Sequence, residues 1–313
     1  MNLIVGGTGF IGGHLAEYFF QEGEISKGAF RKASHLKIMD QCGIQLLEAD
    51  ILDKHSLHEA LDGVTVVYNL ASPTPDHEGQ GDYLEVNTKG LRNLLEEAEE
   101  HGVQDFVHLS CLDVYGPKKR RVGPTEVAVT TPPSHPYQRA KLEAEMVLQD
   151  VAKKGGEMRI KVVRAARTTG PRDPMLALPI LRMIEAGAVV LPSGSDSTMS
   201  FTHPRDVAKG LFRAATSGEA GKVYQVKSFD ATLEQLARGV IEATGKKAEV
   251  KREGFRSKTG VAPYASSQVG AGLLLEDQDS WKTISYAPEF DLKKTAAGVA
   301  EWLVKEPWLT EET

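Results

Sequence analysis

The sequence predicts an α/β fold, a doubly wound parallel sheet followed by a smaller C-terminal region, and three observations carry that expectation. Short β-rich runs alternate with amphipathic segments through the first half, as βαβ units require when helices cover both faces of a parallel sheet. A run of glycines separates the first apolar run from the first amphipathic one. Beyond Pro171 the alternation loosens. The 313 residues exceed the usual length of one domain. The expected division is therefore 1–171 for the sheet unit and 172–313 mainly for the second region, with segments near 200–226 returning to the sheet.

Taken in order, residues 2–5 form the first strand, and residues 11–20 carry Ile11, Leu15 and Phe19 four apart, which gives a helix one apolar face to lay on the sheet. A second strand ends at Phe30. Further strands are expected at 44–47, 64–70, 106–109 and 160–163, with helices over 83–101 and 137–153. Later in the chain 222–226 is β-like, and Thr232 with Gln235 has the spacing of a capping box opening a helix that runs to Thr244. Residues 291–305 return to helical periodicity through Ala296, Val299, Ala300 and Leu303. The stretch 254–272, rich in Gly and Ser with Pro263 inside it, reads as a long loop, either a lid over a substrate or a surface connection. There is no internal repeat.

Composition narrows the function. A formal charge of −6 without any charged block gives no electrostatic reason to expect nucleic acid as a partner, and the basic run 118–121 reads as a solvated loop. Cys42 and Cys111 are too few for a disulfide framework and wrongly spaced for a metal site. A reducing cytoplasm fits them. Neither a signal peptide nor a membrane anchor is read at the start of the sequence, so no membrane association is expected.

The glycine run is Gly6, Gly7, Thr8, Gly9, Phe10, Ile11 and Gly12. Gly7, Gly9 and Gly12 have the spacing of a dinucleotide-binding turn, and they stand where the context demands, after an apolar strand and before a helix whose free N–H groups and positive dipole end suit a pyrophosphate. The alternative is a tight strand-to-helix turn without a ligand. A Rossmann-type sheet holding a nicotinamide dinucleotide is therefore expected. Its far ribose is read at the end of the second strand, where an acid suits NAD and a base suits the NADP phosphate. Arg31 and Lys32 follow Phe30 with no acid among them, which favours NADP(H) and leaves NAD(H) open; otherwise they are two solvated bases.

Tyr137 and Lys141, at i and i+4, share one face of a helix. Bringing a phenol from its usual pKa of about 10 toward 7 asks for about 4 kcal/mol of preferential stabilisation of the phenolate, and a neighbouring ammonium together with an oxidised nicotinamide ring supplies charge of the right sign. With these residues in place the chain resembles the extended short-chain dehydrogenase/reductases, which include nucleotide-sugar epimerases and dehydratases, 3β-hydroxysteroid dehydrogenases and dihydroflavonol reductases. The resemblance rests on the turn at 6–12, Val86 to Gly90 leading into Asn93, Leu109 to Gly116 ending in Val-Tyr-Gly, and Tyr137 to Lys141. It continues through Arg164 with Thr169-Gly170-Pro171, and Phe201 to Asp206.

The resemblance implies that Tyr137 is the general acid/base and that Lys141 holds the nicotinamide ribose while lowering the phenol's pKa. It also places Asp50 and Ile51 near the adenine and Leu70 and Ala71 beside the ribose. The Ser or Thr that donates to the substrate oxygen in relatives falls here on Cys111, with Ser110 one residue earlier. A thiol is a weak donor and strand neighbours face opposite ways, so either a bend turns Ser110 inward or Tyr137 works with weaker help. Met199 stands where nucleotide-sugar enzymes usually carry an Arg, and Arg167 where they often show an Asn. The expected activity is hydride transfer between nicotinamide and a carbonyl or secondary alcohol of a small-molecule substrate. The alternatives are a nucleotide-sugar epimerase or dehydratase, and a cofactor-binding regulator with little catalysis. Relatives also imply a homodimer formed through 83–101 and 137–153.

Overall fold

Neighbouring residues of a strand face opposite ways, so a strand covered on both sides must be apolar throughout. β1 (Asn2–Val5) obeys this after its first residue: Leu3 and Val5 enter one hydrophobic layer and Ile4 the other. The computed structural model describes residues 1–31, 36–75, 83–116, 121–123, 135–253 and 272–306. After β1 come α1 (Phe10–Glu22), β2 (Ser26–Phe30), α2 (Leu36–Gln41), β3 (Gln45–Glu48), α3 (Lys54–Leu61) and β4 (Val66–Asn69). Then follow α4 (Tyr83–Glu85), a π turn over Val86–Gly90, α5 (Leu91–Glu100), β5 (Asp105–Cys111), a 3-10 turn over Leu112–Tyr115 and the two-residue β6 (Arg121–Val122). α6 (Pro136–Lys154), β7 (Arg159–Ala165), β8 (Arg167–Thr168), α7 (Ala177–Glu185), β9 (Ala188–Pro192) and β10 (Met199–Thr202) continue the chain. It ends with α8 (Pro204–Ser217), β11 (Val223–Val226), β12 (Phe229–Ala231), α9 (Leu233–Thr244), β13 (Glu249–Glu253), β14 (Leu274–Leu275), α10 (Gln278–Thr283) and α11 (Leu292–Lys305).

Seven strands pair in parallel in the order β3-β2-β1-β4-β5-β7-β11, so the winding reverses between β1 and β4. This is the expected doubly wound sheet. On one face α3, α5 and α6 bring Leu57, Leu94 and Val147 onto Leu3, Val67 and Phe106. On the other, α1 and α8 bring Leu15, Phe19 and Leu211 onto Ile4, Tyr68 and Val107. Each such side chain contributes about 1.5–3 kcal/mol when fully buried. A further apolar cluster joins α7, α9 and α11 to β9, β10 and β12, through residues such as Ile180, Leu191, Phe201, Leu236 and Val299. α8 and β11, although late in the sequence, lie on the seven-stranded sheet.

Several elements fall where the sequence places them. Gln235 N donates to Thr232 Oγ1 at 3.0 Å and Thr232 N to Gln235 Oε1 at 2.8 Å, completing the capping box of α9. Asp291 accepts from Lys294 N at 2.7 Å and starts α11. The helix expected over 83–101 is present as one helical run, α4 and α5 joined without a gap by the π turn, whose flanking residues Glu85 and Leu91 keep α-helical backbone angles. The loop read at 254–272 lies outside the described residues except for Gly272, and so does most of the basic run 118–121. Among the described residues no helix is long and apolar enough to cross a membrane.

One buried ion pair ties the middle of the sheet together. Lys161 of β7 is 1% exposed and is held by Asp105 of β5 and, at 3.1 Å, by the Ala215 carbonyl. Arg159 grips the same carboxylate through Nε at 2.9 Å and Nη2 at 2.5 Å. Burial pushes the Asp105 pKa up, but the hydrogen bonds from Arg159 and Lys161 outweigh it, and the net direction is down. Asp105→Ala would leave the Lys161 ammonium buried without its counter-charge, and the expected loss is about 3–5 kcal/mol in a urea titration. A lowered folded-state pKa adds stability that is complete above the unfolded value of about 3.9 and is lost as pH falls through the folded one. The gap between wild type and variant should therefore narrow below about pH 4.

Candidate active site

The turn between β1 and α1 lies against the backbone that leaves β4. Gly6 has φ +82°, and a Cβ there would sit 3.0 Å from Ala71 N and 3.1 Å from Leu70 C. A Cβ on Gly12 would fall 2.6 Å from the Gly7 carbonyl oxygen and closer still to that of Gly6. Gly7 meets the Met39 side chain, Thr8 is half-buried at the turn, and Gly9 caps α1 with its N–H on the Gly6 carbonyl at 3.1 Å. No side chain caps α1 and no acid lies in its first turn. Its first N–H groups therefore face outward, which is the condition for anion binding at a helix N-terminus. Asn69 fixes the opposite wall: its Oδ1 accepts from Ala71 N at 3.1 Å, and its Nδ2 meets Nδ1 of the buried His108 at 3.2 Å.

A cavity of about 230 Å³ opens here, at the carboxyl ends of β1, β4 and β5. Gly6, Gly9, Phe10, Ile11, Gly12 and Leu70 line one end; Ser110, Cys111, Asp113, Tyr137, Lys141 and Arg167 are at the other. The structure thus brings most of the expected residues to one space. Gly7, Thr8, Arg31, Asp50, Ile51 and Ala71 do not line it. Arg31 is exposed at the end of β2, and Lys32 lies outside the described residues. Asp50 accepts from Leu52 N at 2.9 Å. Ile51 is buried against Gly90, where a Cβ would come 2.7 Å from its Cγ1.

Tyr137 and Lys141 are set by the start of α6. Pro136 occupies its first turn and His135 accepts from Tyr137 N at 3.2 Å. One turn on, Lys141 Nζ donates to the Leu109 carbonyl at 2.9 Å, which anchors the helix to β5. Burial lowers the Lys141 pKa, opposed by Cys111, Glu145 and Asp113. Burial raises the Tyr137 pKa well above its usual value, and Cys111 and Asp113 push it the same way while Arg167 opposes. The protein's own groups thus raise the phenol because loss of solvent outweighs Arg167, whereas the lowering expected from sequence also counted the charge of an oxidised nicotinamide ring.

At the end of β5 the strand alternation decides which neighbour meets the phenol. Ser110 Oγ donates to Glu145 Oε1 at 2.5 Å, so the inward bend is not realised and its hydroxyl is committed to α6. Cys111 is in hydrogen-bonding contact with Tyr137, and its Sγ also donates to Asp113 Oδ2 at 3.5 Å. Burial, then Asp113, pushes the Cys111 thiol up to about 12, which keeps it protonated and unreactive. Behind Ser110, Glu145 is bound by Arg164 at 2.5 Å, and Arg164 Nη1 donates to Tyr115 Oη at 2.6 Å.

Two residues, one lining the cavity and one bonded to its lining residue Ser72, carry no role from sequence reasoning. Asp113, inside the segment ending in Val-Tyr-Gly, lies 3.8 Å from Arg167 at the cavity. Asn87, in the π turn, donates to the Tyr83 carbonyl at 2.9 Å and to Ser72 Oγ at 3.2 Å, while its buried Oδ1 has no hydrogen-bond partner. Their signal was positional: Asn87 belongs to the quoted Val86 to Gly90 segment, and Asp113 sits two residues beyond Cys111.

Residues 2–226 match the model of the NAD dependent epimerase/dehydratase family. A bovine (Bos taurus) sterol-4-alpha-carboxylate 3-dehydrogenase, decarboxylating, is 25% identical over 215 residues, covering 68% of this chain and 59% of that one. An Escherichia coli O157:H7 N-acetyl-alpha-D-glucosaminyl-diphospho-ditrans,octacis-undecaprenol 4-epimerase is 27% identical over 252 residues, covering 78% and 72%. Among solved structures, a Bacillus cereus UDP-glucuronic acid 4-epimerase in complex with NAD superposes with a TM-score of 0.80 at 20% identity, covering 97% of this chain and 98% of that one.

The two neighbours on β5 should separate experimentally. Ser110→Ala takes a donor from the buried Glu145 and is expected to cost about 1–3 kcal/mol in a denaturation midpoint, with the pH profile of turnover unmoved. Cys111→Ala removes a group that raises the Tyr137 pKa, so the phenol's step in that profile should move to lower pH. The reverse pattern would put Ser110 beside the phenol.

Proposed function

Because the chain belongs to the NAD dependent epimerase/dehydratase family and is an enzyme of that group, we propose that it transfers hydride between a nicotinamide cofactor and a carbonyl or secondary alcohol, with Tyr137 as acid/base. The carrying observation is that Tyr137 and Lys141 share one cavity with the uncapped N-terminus of α1. The residues present fit a dinucleotide: Gly6 and Gly12 tolerate no side chain, Gly9 lines the cavity, and the α1 N–H groups suit a pyrophosphate. When bound, the cofactor supplies or accepts the hydride.

The chain's own residues manage the proton. Reduction leaves developing negative charge on the substrate oxygen, and a neutral phenol quenches it by donating its proton. Burial, Cys111 and Asp113 hold Tyr137 in that neutral form. Lys141 spends one of its three donors on Leu109 and retains two for ribose hydroxyls. Arg167, next to Asp113, is placed to orient a polar group of the substrate.

The competing reading, a sugar-nucleotide epimerase, draws on the Escherichia coli relative. Against it, Met199, at the place where such enzymes usually carry an Arg, is 5% exposed within the α7–α9 apolar cluster and offers a diphosphate nothing. A symmetric dimer draws support from Leu84 on α4 and Met146 on α6, both apolar and exposed.

Two measurements test the proposal. Tyr137→Phe should keep cofactor affinity and lose about 10²–10⁴ in kcat. In wild type, reduction needs the phenol and should fall as pH rises through its raised pKa, whereas oxidation needs the phenolate and should rise. Both dependences should vanish in the variant. Retained wild-type turnover in Tyr137→Phe would end the assignment, and turnover of sugar nucleotides without net cofactor reduction would favour the epimerase.

Cofactor choice rests on Arg31, with no acid beside it at the end of β2. NADPH should bind more tightly than NADH, and Arg31→Ala should cut that preference by about ten- to a hundredfold, the worth of one hydrogen bond to a charged phosphate. An unchanged ratio in a fluorescence titration would count against NADP.

A further inference from the structure

On the sheet face away from α1, α3 and α5 lie side by side. As crossover helices of a parallel sheet they run against the strands and end at the strands' amino edge, opposite the cavity. There α3 presents His58 in its last turn, and α5 presents Glu97 and, one turn later, its C-cap residue His101. One atom from each of the three side chains falls within 4.8 Å of the others.

Glu97 is the unusual member. It is 6% exposed, and its Oε2 is buried without a hydrogen bond. Nδ1 of His58 at 3.7 Å and Nδ1 of His101 at 3.8 Å approach that oxygen but stand too far away to bond it. A buried carboxylate oxygen without a partner calls for an occupant. His101 Nδ1 lies 2.8 Å from the Glu97 carbonyl. If Nδ1 is the donor, the lone pair rests on Nε2, the arrangement that metal-ligating imidazoles usually show. The two rings meet edge-to-face with centroids 4.5 Å apart, and the His58 side chain is 74% exposed, so it can turn without repacking the core. Both imidazoles also stand at helix C-termini, where the dipole favours a cation.

We propose that His58, Glu97 and His101 form a binding site for a divalent transition-metal ion of the Zn²⁺ class, joining α3 to α5 at the edge of the sheet remote from the cofactor cavity. Two imidazoles and one carboxylate suit Zn²⁺ with a fourth position left to water, and are too nitrogen-rich for Mg²⁺ or Ca²⁺. Lys54 sets the affinity. Its Nζ is 3.4 Å from Glu97 Oε1 and also pairs with Glu96 and Glu100, so it leaves Oε2 to the ion while opposing it by charge.

The test is calorimetric titration of Zn²⁺ into the chelator-stripped full chain, with Co²⁺ absorption as a second readout of the ligand set. One saturable site is expected in wild type. His58→Asn and His101→Asn should each weaken it by more than about a hundredfold, since even losing an outer partner of a ligand costs ten- to a hundredfold. His55→Asn, on the same helix outside the cluster, should bind as wild type, and Lys54→Ala should bind more tightly. His58 is exposed, so its variant will fold and circular dichroism will show it. Absence of saturable binding in wild type would mean that the imidazoles serve Glu97 only as ion-pair partners and would overturn the proposal, as would unchanged affinity in folded His58→Asn.

Discussion

There is no space for a methyl group where α1 meets the turn that precedes it, because Gly12 packs directly on the carbonyls of Gly6 and Gly7. The same turn rests, through Gly6, on the backbone of Leu70 and Ala71. These two close approaches aim the helix N-terminus at the junction of β1 and β4, where strand order reverses and the crossover helices diverge to opposite faces. A crevice at such a junction follows from the winding alone. What the glycines add is that its floor is backbone, with N–H groups free to meet an anion. Any side chain at Gly12 would push α1 away and, with it, the Leu15 and Phe19 face that seals one side of the sheet.

The other wall of the cavity is held by polar contacts. Glu145 on α6, Arg164 on β7, Ser110 on β5 and Tyr115 after it form one buried network, and Gln225 of β11 joins it by donating to Tyr115 Oη and, at 3.0 Å, to the Gly123 carbonyl. Burying an ion pair gains little over packed hydrocarbon, but leaving one partner alone costs about 3–5 kcal/mol, so the network favours a single register of α6 against the strands. Lys141, on the same helix, donates to the Leu109 carbonyl of β5 and fixes the helix's height along that strand. The late strand β11 thereby helps to position residues more than eighty positions earlier.

The parts legible in the sequence were those governed by local rules. The turn, α1, the capping box of α9 and the Tyr137/Lys141 face each follow from spacing within a few residues. β2 shows where local rules stop: its end at Phe30 was expected, but Ser26, Lys27 and Gly28 give it no apolar period that would mark its start, and Lys27 is buried while donating to the Asp62 carbonyl at 2.7 Å. The π turn at 86–90 ends on Gly90, where a Cβ would meet Ile51, a close approach between distant parts of the chain that local spacing does not reveal. Ser110 and Cys111 were undecided for the same reason, because the choice is made by Glu145 on another element. Met199, by contrast, was informative by its type alone, and its burial in the α7–α9 cluster follows from being apolar.

The direction of the Tyr137 shift bears on how such a site is balanced. An ammonium one turn away lowers a phenol's pKa, but only against the cost of removing the phenolate from water, and in this cavity Cys111 and Asp113 are added to that cost. Lys141 is itself desolvated and turned toward a carbonyl, which limits the charge it presents. The protein alone therefore favours the proton-bearing phenol, the form required to quench an alkoxide. A form able to take a proton from an alcohol needs further positive charge in the cavity, and an oxidised nicotinamide ring carries charge of that sign. If Tyr137 has the proposed role, its proton chemistry would be coupled to the oxidation state of the cofactor: the charge that favours the phenolate would be present when an alcohol is to be oxidised and gone when a carbonyl is to be reduced.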